Sequence, residues 1–268
     1  MNALLAALVG LVALVVVPLG VRLMRLPVAV PTAGWMTAGL LVVLALGSVG
    51  APAVALALPW CLLCAGTAGA GLLRLRELSS DPLRALASVS ASTSLAVCAI
   101  ALVVDRSGHP VLGFDLTTWR LTVLHFGVAG FATSLLTGLA LVATRTRAAR
   151  YGVVAVPLGT ALVAAGHFLG PWLELAGAGS LATGLLATSW TVLRHVVDVD
   201  DDGGQLLALA ALTPPFTMAL ALWWALGEAA ALPHLSLTQT AATHGLANAV
   251  GVGLCGVLGW TTVTKEQL

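Results

Sequence analysis

Long apolar stretches follow one another from Asn2 almost to the end of the chain, and the arginines that interrupt them fall after every second stretch. A stretch that crosses the roughly 30 Å of hydrocarbon in a bilayer needs about 20 apolar residues. That rule places helices near 3–21, 33–50, 53–73, 85–104, 118–143, 152–170, 172–193, 206–228 and 236–260. The expected fold is all-α, a polytopic transmembrane helix bundle of about nine spans by that length rule. Eight is the fallback, because 33–50 is short and its boundary with the next span rests on Gly50, Ala51 and Pro52. Only 9% of residues are charged, against about 25% in soluble domains. The whole chain, 1–268, therefore reads as a single integral membrane domain in a lipid bilayer.

The arginines also orient it. Arg22 and Arg25 follow the first span, and Arg74, Arg76 and Arg84 the third. Arg145, Arg147 and Arg150 follow the fifth, Arg194 the seventh and Lys265 the last. Positive residues in short loops stay on the cytoplasmic side, which puts the N-terminus outside and the C-terminus in the cytoplasm. Arg106 and Arg120 alone fall opposite. No Lys or Arg precedes the apolar run Asn2 to Gly20, so it reads as a true span rather than a secretory signal.

Several function classes drop out on composition. A net charge of +1 leaves nothing to recruit nucleic acid. Four cysteines in a chain of this length do not make a disulfide framework. Cys61 and Cys64 form a CxxC on a membrane helix without a second ligand pair, so packing is expected rather than zinc. Asp198, Asp200, Asp201 and Asp202 imitate the first half of an EF-hand, but Leu209 stands where the bidentate Glu would be, which makes a solvated linker. No metal and no cofactor is expected.

The titratable groups near spans gather in the second half and at one level. His125, His167, Glu174, Glu228 and His244 lie on separate expected helices, and the topology brings all of them to the outer side. An ionisable group at the centre of a span costs about 2.5–3.5 kcal/mol even on a lenient scale and is a functional candidate by default. Thr118, Thr122, His125, Ala129 and Ala132 recur at helical spacing as one small, polar stripe. Ser236-Leu237-Thr238-Gln239 has capping-box form, and from it Thr240, His244, Asn248, Gly251 and Cys255 fall along one face. His244 and Asn248 are one turn apart, so an imidazole and a carboxamide can act on one small group. Asp115, Arg120, Thr122, Trp223, Trp224, Gln239 and Thr240 complete the candidate substrate contacts. Thr213-Pro214-Pro215 should break the eighth helix at depth. Residues 1–104 are expected to be mainly scaffold and 105–268 to carry the polar site.

The segments Leu121-Thr122-Val123-Leu124-His125-Phe126-Gly127-Val128-Ala129-Gly130-Phe131 and Thr243-His244-Gly245-Leu246-Ala247-Asn248-Ala249 resemble the YndJ-like family of bacterial multi-pass membrane proteins. The resemblance extends over most of the chain, including Val17-Pro18-Leu19-Gly20. It implies the plasma membrane of a bacterial cell and marks His125, His244 and Asn248 as functional positions. It supplies no reaction. Gly127 stands where the family pattern often has a second histidine, which weighs against a role needing two imidazoles on the fifth span, such as tight metal binding.

The leading expectation is a cofactor-independent acid/base enzyme of isomerase, cyclase or epoxide-opening type. It would act on a lipophilic small molecule near the outer face. His125 and His244 would be acid/base partners and Asn248 would orient a substrate oxygen. Glu228 or Glu174 would set the charge of an imidazole, with His167 at the same level. A small-molecule transporter, a haem- or metal-binding protein and a purely structural membrane partner are the alternatives. The residues leave oligomeric state open. The orientation predicts that a reporter fused after Lys265 is active only in the cytoplasm; activity outside would invert every assignment of sidedness.

Overall fold

The protein is described by a computed structural model that covers residues 2–26, 30–77, 79–198 and 200–266. Among the described residues there is no strand, and nine helical rods follow one another. They are α1 (Ala3–Met24), α2 (Thr32–Ala45), α3 (Ala51–Glu77), α4 (Pro82–Ser107), α5 (Leu116–Thr144), α6 (Arg147–Leu169), α7 (Pro171–His195), α8 (Asp202–Ala230) and α9 (Leu237–Thr264). Seven of the rods are long and apolar enough to cross a membrane. α7 has the length, but its Gly, Ser and Thr content leaves it less apolar than those seven.

Local chemistry sets the boundaries. Asp81, Asp115, Thr146, Asp201 and Ser236 each accept a backbone N–H at the start of α4, α5, α6, α8 and α9. The expected capping box of Ser236 and Gln239 is formed in both directions. Gly50, at φ 93°, opens α3 with Pro52 in its first turn, where a missing N–H costs nothing.

α2 departs from the expected span at 33–50. It has 14 residues, or about 21 Å at 1.5 Å per residue, too short to cross hydrocarbon unaided. Two carbonyls at and beyond its end are met from α4. The Arg106 guanidinium donates to Ala45 O at 3.2 Å and Ser48 O at 2.9 Å. Asp105 balances it, taking Arg106 Nη2 at 2.6 Å and Arg120 Nη2 at 2.9 Å. The two arginines that fell against the positive-inside pattern are thus internal fittings. Arg106 and Asp105 are each 1% exposed.

α8 also differs from expectation. It runs unbroken through Pro214 and Pro215. Neither proline can donate an N–H, so the carbonyls of Ala210 and Ala211 lose their usual partners. Thr213 sends its hydroxyl back to Leu209 O at 2.8 Å, and the Thr217 hydroxyl oxygen lies beside Thr213 O and Pro214 O. Elsewhere the rods widen into π turns at Val12–Val16, Phe126–Ala132, Ala241–Gly245 and Asn248–Cys255. The first stands just before Pro18, whose missing N–H frees a carbonyl there. The π segments of α1, α5 and α9 pack on one another.

The closest pairing joins α6 to α7. Gly152, Gly159 and Gly166 recur on α6 every seventh residue and meet Gly177 and Gly184 on α7. A Cβ at Gly159 would come within 2.4 Å of Leu181 N, and one at Gly166 within 2.5 Å of Glu174 N. Backbone packing of this kind replaces the hydrophobic effect where lipid surrounds the helices. Gly159→Ala should therefore cost about 1–3 kcal/mol through overpacking. Gly179→Ala, where nothing lies within 4 Å, should be neutral or stabilising by about 0.5–1 kcal/mol on helix propensity. Thermal unfolding in detergent compares the two, and equal melting points would refute the glycine seam.

Candidate functional site

A cavity of about 750 Å³ lies between α1, α4, α5, α6, α7, α8 and α9, towards the end where α5, α7 and α9 begin. That is the size range of pockets that bury small-molecule ligands, about 300–1,000 Å³. Its wall is mostly apolar. His125, His167, Glu174, His244, Asn248, Thr122, Thr240 and Trp224 all line it. Helices α5, α6, α7 and α9 thus bring the candidate imidazoles and one carboxylate to a single space.

Other candidates lie elsewhere. Glu228 pairs with His234 Nε2 at 3.1 Å, away from the cavity wall. Trp223 is 47% exposed and gives its indole N–H to Pro233 O at 3.0 Å. Gln239 is held by the cap of α9. Arg120 is bound to Asp105. Asp115 caps α5, and the Thr118 N–H donated to it at 2.7 Å holds its carboxyl below the usual range. None of these five lines the cavity.

His244 is the best-fixed of the polar groups. Its Nδ1 lies 2.7 Å from Thr217 O on α8. A carbonyl only accepts, so Nδ1 carries the proton, and in the neutral ring the lone pair is on Nε2. The Asn248 amide nitrogen is 3.3 Å from both ring nitrogens. Equal distances in the ring plane would drive it into the ring carbons, so the amide sits over the imidazole face as an N–H···π contact. The Nε2 lone pair, which lies in the plane, remains without a donor. Thr217 also donates its hydroxyl to Asn248 Oδ1 at 2.9 Å. One buried threonine therefore sets both the tautomer of His244 and the attitude of Asn248.

His125 ends the regular first part of α5, just before the π segment. Its ring meets Phe126 edge-on at 5.5 Å. Nε2 is buried and has no hydrogen-bond partner among the described residues, which leaves Nδ1 as the nitrogen open to the cavity. Thr240 Oγ1 is likewise buried without a partner. His167 donates Nδ1 to Val163 O at 3.0 Å, with Glu174 3.8 Å from the same nitrogen. The seam of glycines between α6 and α7 places these two opposite each other. At Gly127 a Cβ would lie 2.6 Å from Val12 Cγ1, so α5 has no room there for a second imidazole.

The stripes expected on α5 and α9 shift where the helices widen. Thr118, Thr122, His125 and Ala129 line the cavity, but Thr133 follows them in place of Ala132. On α9, Thr240, His244 and Asn248 line it, whereas Gly251 packs against Thr213. Three features of the site escape the reading of the sequence. Thr217 is hidden behind the proline pair, although its spacing of four from Thr213 marks it on the same face. Phe114 covers one part of the cavity, edge-on to Trp119, His167 and Phe168. Leu5, Leu8 and Val97 add apolar wall from the first 104 residues. Among the described residues, no group of three or more His, Cys, Asp or Glu is arranged to hold a metal ion.

Apolar rods of membrane-crossing length around an internal cavity define a multi-pass integral membrane protein. The sequence profile of the YndJ-like proteins matches residues 7–252, and the chain belongs to that family. No curated protein and no solved structure matches it.

The clamp on His244 has a direct consequence. Thr217→Val keeps the shape but removes the donor to Asn248, and should cost about 1 kcal/mol. Thr217→Ser, which keeps the hydroxyl, should cost less. If the two variants melt together in detergent, the hydroxyl holds nothing in place.

Proposed function

We propose that this protein is a membrane enzyme performing redox-neutral acid–base chemistry on a lipophilic small molecule held in the cavity. The observation that carries the reading is the convergence on an apolar cavity of two imidazoles that each keep a ring nitrogen unengaged. His244 Nε2 has an in-plane lone pair, and His125 Nδ1 has no partner among the described residues. Such groups suit proton transfer in a low-dielectric site. In this reading His244 takes a proton at Nε2 as general base and, as imidazolium, gives it back to the rearranged product, while His125 holds the other end of the reacting group by a hydrogen bond at Nδ1. Asn248 orients a substrate oxygen. Glu174 stands 3.8 Å from His167 Nδ1 on the same wall. Isomerisation, cyclisation and epoxide opening need only such proton movements. With the N-terminus outside, the cavity lies towards the outer face of a bacterial plasma membrane.

Transporters commonly pair broken helices around a midplane site, and α8 is continuous even at Thr213-Pro214-Pro215, which counts further against transport. The haem or metal reading would take His125 and His244 as ligands, and an absorbance spectrum with metal analysis of the purified protein tests it. The enzyme reading is tested by comparing lipid extracts from cells expressing wild type or His125→Gln/His244→Gln at equal abundance. A lipophilic species should be converted only by the wild type. Identical extracts would sink the reading.

A further inference from the structure

We infer that the cavity selects an uncharged amphiphile, a long apolar body headed by a hydroxyl, and rejects lipids headed by phosphate or carboxylate. The inference rests on the cavity being the working site proposed above. It begins with charge. Among the described residues, no Lys or Arg lines the cavity. The arginine nearest in sequence to its polar wall, Arg120, is already committed to Asp105. The one carboxylate present, Glu174, stands beside His167 at 3.8 Å. An anionic head group would add a buried negative charge to a wall that has only imidazoles to offer, and a buried charge without a partner is strongly disfavoured.

The hydrogen-bonding groups then narrow the head. His244 presents a lone pair at Nε2, because Nδ1 is committed to Thr217 O. That atom needs a donor. His125 has no hydrogen bond at either nitrogen, so its exposed Nδ1 accepts or donates according to tautomer. Thr240 lines the same wall, but its hydroxyl oxygen is turned away from the cavity and adds nothing to the choice of head group. A ketone or ether could only accept, and would leave Nε2 of His244 unmatched. A hydroxyl both donates and accepts, so it serves His244 and His125 in either tautomer. The rest of the wall, with Leu5, Leu8, Val97, Leu181, Leu185 and Met218, offers nothing polar and suits a hydrocarbon body.

Three probes that share one body separate the possibilities: farnesol, farnesyl phosphate and the hydrocarbon farnesene. Their binding to the purified full-length protein in detergent is followed by quenching of tryptophan fluorescence, since Trp119 and Trp224 line the cavity. Farnesol should bind at least about tenfold more tightly than either of the others, because a site built for a hydroxyl rejects analogues that lack it. His244→Phe should abolish that preference while farnesene binding persists, which shows an intact cavity. Farnesyl phosphate binding as tightly as farnesol, or no binding of farnesol by the wild type, would overturn the inference. The two proposals fail separately. A converted cellular lipid that carries phosphate would keep the enzyme and remove the head-group rule. Selective farnesol binding with identical cell extracts would do the reverse.

Discussion

In a bilayer the backbone and polar side chains have no water to fall back on, so each polar group must find its partner inside the protein. This constraint explains the strongest fixed points of the structure. Arg106 reaches from α4 to the open end of α2, and Asp105 neutralises it together with Arg120. Without that guanidinium Ser48 O would lose its partner and Ala45 O would keep only the N–H of Ser48. Beside the proline pair of α8, Thr213 keeps its hydroxyl within its own helix by donating to Leu209 O. Thr217 of that helix donates its hydroxyl to Asn248 Oδ1 and accepts from His244 Nδ1 at its carbonyl, so one residue positions both.

Against this background an unpartnered group stands out. Most hydroxyls on these helices donate to a carbonyl of the preceding turn, as Thr67, Thr122 and Thr261 do. Thr240 and His125 do not. Their lack of partners contrasts with a structure that otherwise satisfies most of its buried polar atoms locally. The buried indole nitrogen of Trp60 is also without a partner, but it lies in the apolar core beside Trp35 and away from the cavity wall. An orphan alone therefore does not mark a site.

Much of this was legible in the residues. Apolar length gave the positions of the rods, and Gly50, Pro52 and Ser236 marked helix starts that the structure keeps. His125, His167, Glu174, His244 and Asn248 could be brought to one level because α5, α6, α7 and α9 alternate in direction with short connections. Level is not facing, however. Glu228 sits near the same end but turns to His234 in the loop, and Arg120 turns to Asp105. Whether a side chain at a helix end looks inward depends on partners distant in sequence, which spacing along one helix cannot register. The glycine seam of α6 and α7 was readable as a seven-residue repeat, but it emerges only when both helices are compared.

The π turns are the least legible element and bear most on the site. Each adds a residue to one turn and so rotates the rest of its helix by about 100°, the angular step of a helix with 3.6 residues per turn. A strict helical stripe on α5 predicts Ala132 in the wall, and the widened turn brings Thr133 there instead. On α9 one π turn holds His244 and the next begins at Asn248, with Leu246 and Ala247 between them. Helices widened in this way expose carbonyls and side chains that a regular helix would cover, and such turns gather at functional sites. Small residues make the widening possible: Gly127 packs on Val12, and Gly253 faces Val128 and Val16. These contacts join the π segments of α1, α5 and α9. The apolar first helix thus belongs to the support of the polar site as much as to the scaffold, because the face that His125 presents depends on α1 pressing against the residue two places after it.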